Sequence, residues 1–251
     1  MKKGTLAFLL FIIGVSCNTD TPEPSPTFVD QFYSNASNLE ILVAYEEDAE
    51  PYTEFNNKQS WDISENNINS LLSGKGINLT VPKVVGSMQY LGDYDQLDFT
   101  TTDLFEIAED IQKYNNKSSD KGIVVLFLNG YFNKDGERLD RVLGLNINGT
   151  AILAMFKPVI ESASPSFTIR TLVEQTTMTH EIAHALGLVD NGVPLTSFHH
   201  DEPNGAHCTN KDCVMYWQNG GANVVEFVQP YLVGGNIELF GLECLDDIAA
   251  M

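Results

Sequence analysis

The chain reads as an α/β domain built around a small mixed sheet, and three observations carry that reading. β-prone stretches alternate with stretches of helical apolar spacing in the order β-α-β-α-β-β-α, followed by a long irregular region and a closing helix. Gly122-Ile123-Val124-Val125-Leu126-Phe127-Leu128 is a continuous apolar run, which suits a strand covered on both faces. Residues 167–188 hold a long helical pattern, with Gly187 where a helix end favours a left-handed residue.

Taken in order, the chain begins with a targeting segment. Lys2 and Lys3 precede an apolar run over 6–15 that is too short to cross a bilayer as a stable helix. It ends at Gly14-Val15-Ser16-Cys17, which resembles a bacterial lipoprotein signal. The resemblance implies cleavage after residue 16, lipid on Cys17 and attachment to the outer membrane or cell surface. Gly14 departs from the branched aliphatic residue usual there, and an ordinary secretory signal is the alternative. Either way the protein leaves the cytoplasm. Residues 17–37 are assigned as a tether, rich in Thr, Pro, Asp and Glu over 18–26, with a short helix from Phe28 as the other reading of its end. Residues 38–251 form one domain.

Within that domain, 39–45 is β-rich and reads as the first strand. Ile63, Ile68, Leu71 and Leu72 give 62–72 helical spacing, closed by Gly74 and Gly76. Residues 77–91 are β-like, interrupted by Pro82 and Gly86. The stripe Leu104, Ile107, Ala108, Ile111 makes 98–114 a helix with its N-cap among Thr100–Thr102. Residues 142–156 are two β-prone halves broken at Asn148-Gly149, a hairpin or an edge strand with a bulge. Residues 189–215 are loop-like, and 236–251 close the domain as a helix through Leu239, Leu242, Leu245 and Ile248.

A formal net charge of −20 on 251 residues argues against nucleic acid and anionic membrane surfaces as partners. With 43% apolar residues there is material for a real core, and a monomer is expected.

The chemistry concentrates at His180-Glu181-Ile182-Ala183-His184. Residues four apart on a helix are surface neighbours, so His180 and His184 aim two imidazoles at one metal ion. Glu181, offset by one position, points beside the ion, where a general base for a metal-bound water belongs. All 5 histidines lie between His180 and His207, which scattered core histidines do not do. A catalytic zinc needs a third protein ligand. The candidates are Asp190, His199, His200 and His207.

His180-Glu181-x-x-His184-x-x-Gly187 resembles the start of the metzincin signature of zinc peptidases. There the chain turns at the glycine and a third histidine follows three residues on, where this sequence has Asp190. His207-Cys208-Thr209-Asn210-Lys211-Asp212-Cys213-Val214-Met215 is similar to the H-C-x-x-x-x-C-x-M element of archaemetzincins, whose histidine is the third ligand. By motif the likeness spans about 167–244, with an insertion over roughly 190–206. It extends less specifically to lipid-anchored bacterial metalloproteases. The resemblance implies a metzincin-like catalytic domain: a mixed sheet, an active-site helix, an irregular lower part and a C-terminal helix. It favours His207 as third ligand, because Cys208, Cys213 and Met215 fix its loop, whereas Asp190 rests on spacing alone. Met215 matches the methionine turn beneath the metal, and Tyr216 becomes a candidate oxyanion partner. The strand region 142–155 would hold an extended peptide by strand addition, as metzincins do.

The archaemetzincin cysteines hold a second zinc with a later C-x-x-C. Here that stretch is Phe240-Gly241-Leu242-Glu243-Cys244, with Gly241 in place of one cysteine. A second, structural zinc is therefore not expected, and in an exported protein a Cys208–Cys213 disulfide is.

These readings converge on a zinc metalloendopeptidase that acts on peptides or proteins, with one zinc ion and Glu181 as general base. The alternatives are a non-catalytic zinc-containing surface lipoprotein that acts as a binding module, and a zinc hydrolase of a non-peptide substrate.

Overall fold

The computed structural model describes residues 27–112, 120–147, 149–219, 221, 223–233 and 236–251. The expected signal segment, Cys17, the tether up to residue 26, Asn148 and the last two residues of the 98–114 helix lie outside them.

Folded structure starts earlier than expected. Helix α1 (Phe28–Asn35) opens on a capping box: the Asp30 amide donates to Thr27 Oγ1 at 3.2 Å and the Thr27 amide to Asp30 Oδ2 at 2.9 Å. Val29 and Phe32, three residues apart, then bury one face. The part of the assigned tether from Phe28 on is thus packed structure, because a satisfied helix start and an apolar stripe outweigh its polar composition.

The chain continues through β1 (Asn38–Tyr45), the small hairpin β2 (Glu54–Phe55) and β3 (Lys58–Gln59), helix α2 (Trp61–Leu71), β4 (Asn78–Thr80) and β5 (Gln89–Tyr90). Next come β6 (Asp98–Phe99), α3 (Thr101–Gln112), β7 (Asp120–Leu128), β8 (Tyr131–Lys134) and β9 (Glu137–Leu139). Then follow β10 (Gly144–Asn146), β11 (Ile152–Phe156), α4 (Lys157–Ser162), α5 (Phe167–Ala185), α6 (Val224–Val228) and α7 (Leu242–Ala249).

The expectation of an α/β domain with a mixed sheet holds. The main sheet runs β10-β11-β7-β1-β4, with β5 also on β1. β10 is antiparallel to β11 and every other pairing is parallel. β1 and β7 pair over their shared length, from Asn38↔Asp120 to Tyr45↔Phe127. Residues 123–128 and all of β11 are buried, and α3 and α5 both pack on these strands. One apolar core runs from Val29 to Ile248.

Three elements differ from expectation. The 77–91 strand is split into β4 and β5 by a 3-10 turn at Val85–Ser87, since Pro82 has no N–H to give to a ladder. Residues 131–139 form the hairpin β8–β9, turned by Asp135 and Gly136 at φ 55° and 87°. The last helix begins at Leu242, not 236. Among the described residues no helix is long and apolar enough to cross a membrane.

Candidate metal centre

Helix α5 carries the site, and its middle is covered on all sides, with every residue from Thr171 to Ala183 buried. Its release of the chain is closely specified. Gly187 takes φ 88°, and a Cβ there would meet Val29 Cγ1 at 2.9 Å. The last carbonyls are satisfied by the Leu188 amide on Ala183, the Asn191 side chain on His184 and the Tyr33 hydroxyl on Leu186. Val189 and Asp190 follow at φ 56° and 59°, an uncommon left-handed pair that swings the chain away from the helix axis.

The long loop then returns under the helix and delivers His207. The imidazole centroids of His180, His184 and His207 lie 4.6 to 5.3 Å apart, and one nitrogen from each falls within 4.8 Å of the others. His180 Nδ1–H donates to the Val214 carbonyl at 2.8 Å, and His207 Nδ1–H to the Asn204 carbonyl at 2.7 Å. Both rings are thereby fixed with an Nε2 lone pair free, the usual arrangement behind a metal-bound imidazole. His180 Nε2 and His184 Nε2 face each other at 3.0 Å. Two ligands at about 2.0–2.1 Å from a tetrahedral zinc stand roughly 3.3 Å apart, so the set fits such an ion. Burial pushes the His180 imidazole down to about 4, and it lowers His184 and His207 as well, so all three favour the neutral form.

Glu181 is buried beside them. Its Oε2 accepts the Asn146 amide of β10 at 2.7 Å, while desolvation raises its pKa to about 8 against that hydrogen bond. The strand comes this near because residue 144 is glycine: a Cβ there would lie 2.9 Å from Met155 Sδ and 3.0 Å from Thr177 Cγ2. The cleft of about 330 Å³ includes Leu145, Asn146, Asn191 and Trp217 along with the three histidines and Glu181.

The other candidates lie elsewhere. Asp190 Oδ2 is exposed and sits 3.7 Å from His200 Nδ1, and His200 Nε2–H donates to the Gly205 carbonyl at 2.9 Å. Tyr216 lines a separate cavity with Lys211 and Asp212, so the phenol proposed for the oxyanion does not face the cleft; its neighbour Trp217 does. Met215 is buried in the Cys213–Tyr216 turn, whose Tyr216 amide donates to the Cys213 carbonyl at 3.0 Å.

The expected Cys208–Cys213 disulfide is a correction. Cys208, Cys213 and Cys244 are all free thiols in a buried cluster with His199. The sulfurs cluster without a bond between them: Cys208 Sγ faces His199 Nδ1 at 3.3 Å, and Cys213 Sγ faces Cys244 Sγ at 3.6 Å.

The amide of Asn146 and the ring of Trp217 were not singled out from sequence. A backbone N–H has no side-chain signal, and Trp217 reaches the cleft only through the loop's tertiary course.

The site thus defines an α/β domain with a three-histidine, one-glutamate cleft. No protein-family model matches the sequence, and no curated protein does. Among solved structures, the chain is similar to a zinc-dependent peptidase from Methanocorpusculum labreanum at 11% identity and a TM-score of 0.45, covering 83% of this chain and 99% of that one.

Proposed function

We propose that the protein is a zinc-dependent metallopeptidase of the metzincin kind, with His180, His184 and His207 as ligands and Glu181 as general base. The observation that carries this reading is the convergence of three imidazoles, two of them tautomer-fixed, beside a buried glutamate. Zinc, when held there, supplies a Lewis acid that acidifies water towards a pKa of roughly 7 and polarises a carbonyl.

The chain's own groups do the rest. Asn146 N–H holds Glu181 Oε2, which leaves Oε1 to take the proton of the attacking water and hand it to the leaving amine. β10 ends the main sheet and lines the cleft, so its free edge offers main-chain groups to an extended peptide. The engagement of His200 by Gly205 supports an open fourth position and favours catalysis over a purely structural ion.

Glu181→Gln should retain zinc and lose peptide cleavage by about 10²- to 10⁴-fold. Activity near that of the unaltered protein removes Glu181 as base. His207→Ala should lose the cleft's zinc while Asp190→Ala keeps it; the opposite result makes Asp190 the ligand. If only ester or non-peptide amide substrates are turned over, the enzyme is a zinc hydrolase of another class. The proposal extends to location: the enzyme acts outside the cytoplasm, tethered by lipid on Cys17. Cys17→Ala should then move it from the membrane fraction to the soluble one.

A further inference from the structure

Three cysteines and one histidine remain unused by the cleft, and they gather in one buried cluster. His199 Nδ1, Cys208 Sγ and Cys244 Sγ lie within 4.8 Å of one another, and Cys213 Sγ is 3.6 Å from Cys244 Sγ. A disulfide needs its sulfurs at about 2.05 Å. Ligands of a tetrahedral zinc, with sulfur at about 2.3 Å and nitrogen at about 2.0–2.1 Å, stand roughly 3.3–3.8 Å apart. The contacts of 3.3 and 3.6 Å match the second geometry.

The surroundings are those of thiolate ligands. Asn210 N–H donates to Cys208 Sγ at 3.3 Å, and Met215 N–H to Cys213 Sγ at 3.4 Å. His199 Nε2–H donates to Asp247 Oδ2 at 2.7 Å, which leaves its Nδ1 lone pair pointing at the sulfurs. Asp247 is itself held, accepting the Thr196 amide and hydroxyl on Oδ1 at 2.7 and 2.8 Å.

We propose that His199, Cys208, Cys213 and Cys244 bind a second zinc ion in a closed Cys3His set, separate from the histidine cleft. The four-cysteine set of the archaemetzincin resemblance is not available to this chain, because residue 241 is glycine. The fourth donor comes instead from the inserted segment over 190–206. With Gly241 in place of the fourth cysteine, the sequence alone led to the expectation of a single ion. The proposal also accounts for three thiols in a chain expected to be exported, since zinc-held thiolates leave none spare for a disulfide.

The ion would tie three pieces of chain with little regular structure between them: the His199 loop, the Cys208–Cys213 turn and α7. That turn carries the Val214 carbonyl that orients His180, and it directly follows His207.

The test is metal content and a cobalt(II) spectrum of the purified full-length chain. Two equivalents of zinc are expected, with an intense thiolate-to-cobalt charge-transfer band after exchange. Cys244→Ser should drop the content from two equivalents to one and abolish the band. His184→Ala should also leave one equivalent but keep the band, so the two sites fail separately. His199→Cys should keep two equivalents and strengthen the band, as a fourth thiolate replaces the imidazole. Should Cys244→Ser not fold, thiol titration of the unaltered protein decides: the thiols of Cys208, Cys213 and Cys244 should react only after chelation. Three freely reactive thiols, a disulfide among them, or a thiolate band absent from the unaltered protein each overturn the proposal.

Discussion

Gly187 stands where α5 must let go of the chain, and two separate demands fall on it. The φ of 88° costs an L-residue about 1–2 kcal/mol, and Val29 stands in the way of a Cβ. Gly187→Ala should lower stability by roughly 1–3 kcal/mol in a denaturant titration. Adding Val29→Ala should relieve the clash but not the backbone strain; recovery of nothing would mean that the contact with α1 is slack. The titrating residues give a second prediction. His180, His184 and His207 have folded pKa values below the usual histidine value, so their contribution is present above about pH 6.5 and is lost as pH falls, for His180 through about 4. Glu181 runs the other way: its pKa is raised to about 8, so its contribution fades as pH rises from about 4.5 through 8. Metal-free protein should therefore gain stability from pH 4 to about 6.5 and lose some towards 8. Glu181→Gln should remove the upper decline and steepen the rise below it; a decline that persists in that variant assigns it to another group.

At the scale of elements, α5 is anchored near its start by a buried ion pair. Lys157 Nζ lies 2.6 Å from Glu174 Oε2, and it sits 3.3 Å over the Tyr52 ring; the Tyr52 amide donates to Glu174 Oε1 at 2.7 Å. Desolvation raises the Glu174 pKa, with Lys157 opposing it, so each charge depends on the other. Removing one partner, as in Lys157→Met or Glu174→Leu, should cost about 3–5 kcal/mol, while the double replacement should cost much less. Additive single effects in a double-mutant cycle would show the pair to be uncoupled. This anchor and the Gly187 exit fix both ends of the helix that presents His180, Glu181 and His184. Gly144 matters at the same scale, because it lets β10 approach α5 closely enough for its amide to reach Glu181.

Over the whole molecule, the sheet supplies a rigid upper half and the loops beyond α5 supply a lower half rich in metal-binding side chains. A ligand that binds only the folded state adds about 2.7 kcal/mol at a hundredfold excess over its Kd. For a domain of this size each kcal/mol moves Tm by roughly 2–4 °C, so chelation should lower Tm by about 5–11 °C. An unchanged Tm, with zinc shown to be removed, would mean that metal binding and folding are not linked.

Local patterns made much of this legible. The continuous apolar run 122–128 announced a doubly covered strand because no solvent-facing alternation was left in it. The spacing of His180, Glu181 and His184 stated their common face because helix geometry is local. The return of the chain after Gly187 was not legible in that way. Whether His207, Asp190 or His200 meets the helical histidines depends on the course of a loop of some twenty residues, and loop closure has no periodic signature. The same limit hid the cysteine cluster: the pairing of Cys208 and Cys213 was expected from the export of the chain, whereas His199 and Cys244 reach them only through tertiary packing. Sequence alone determined the helix, its two histidines and its glutamate. Only the tertiary structure decided what stands opposite them, because those partners lie far along the chain and are brought in by packing that no short stretch of residues encodes.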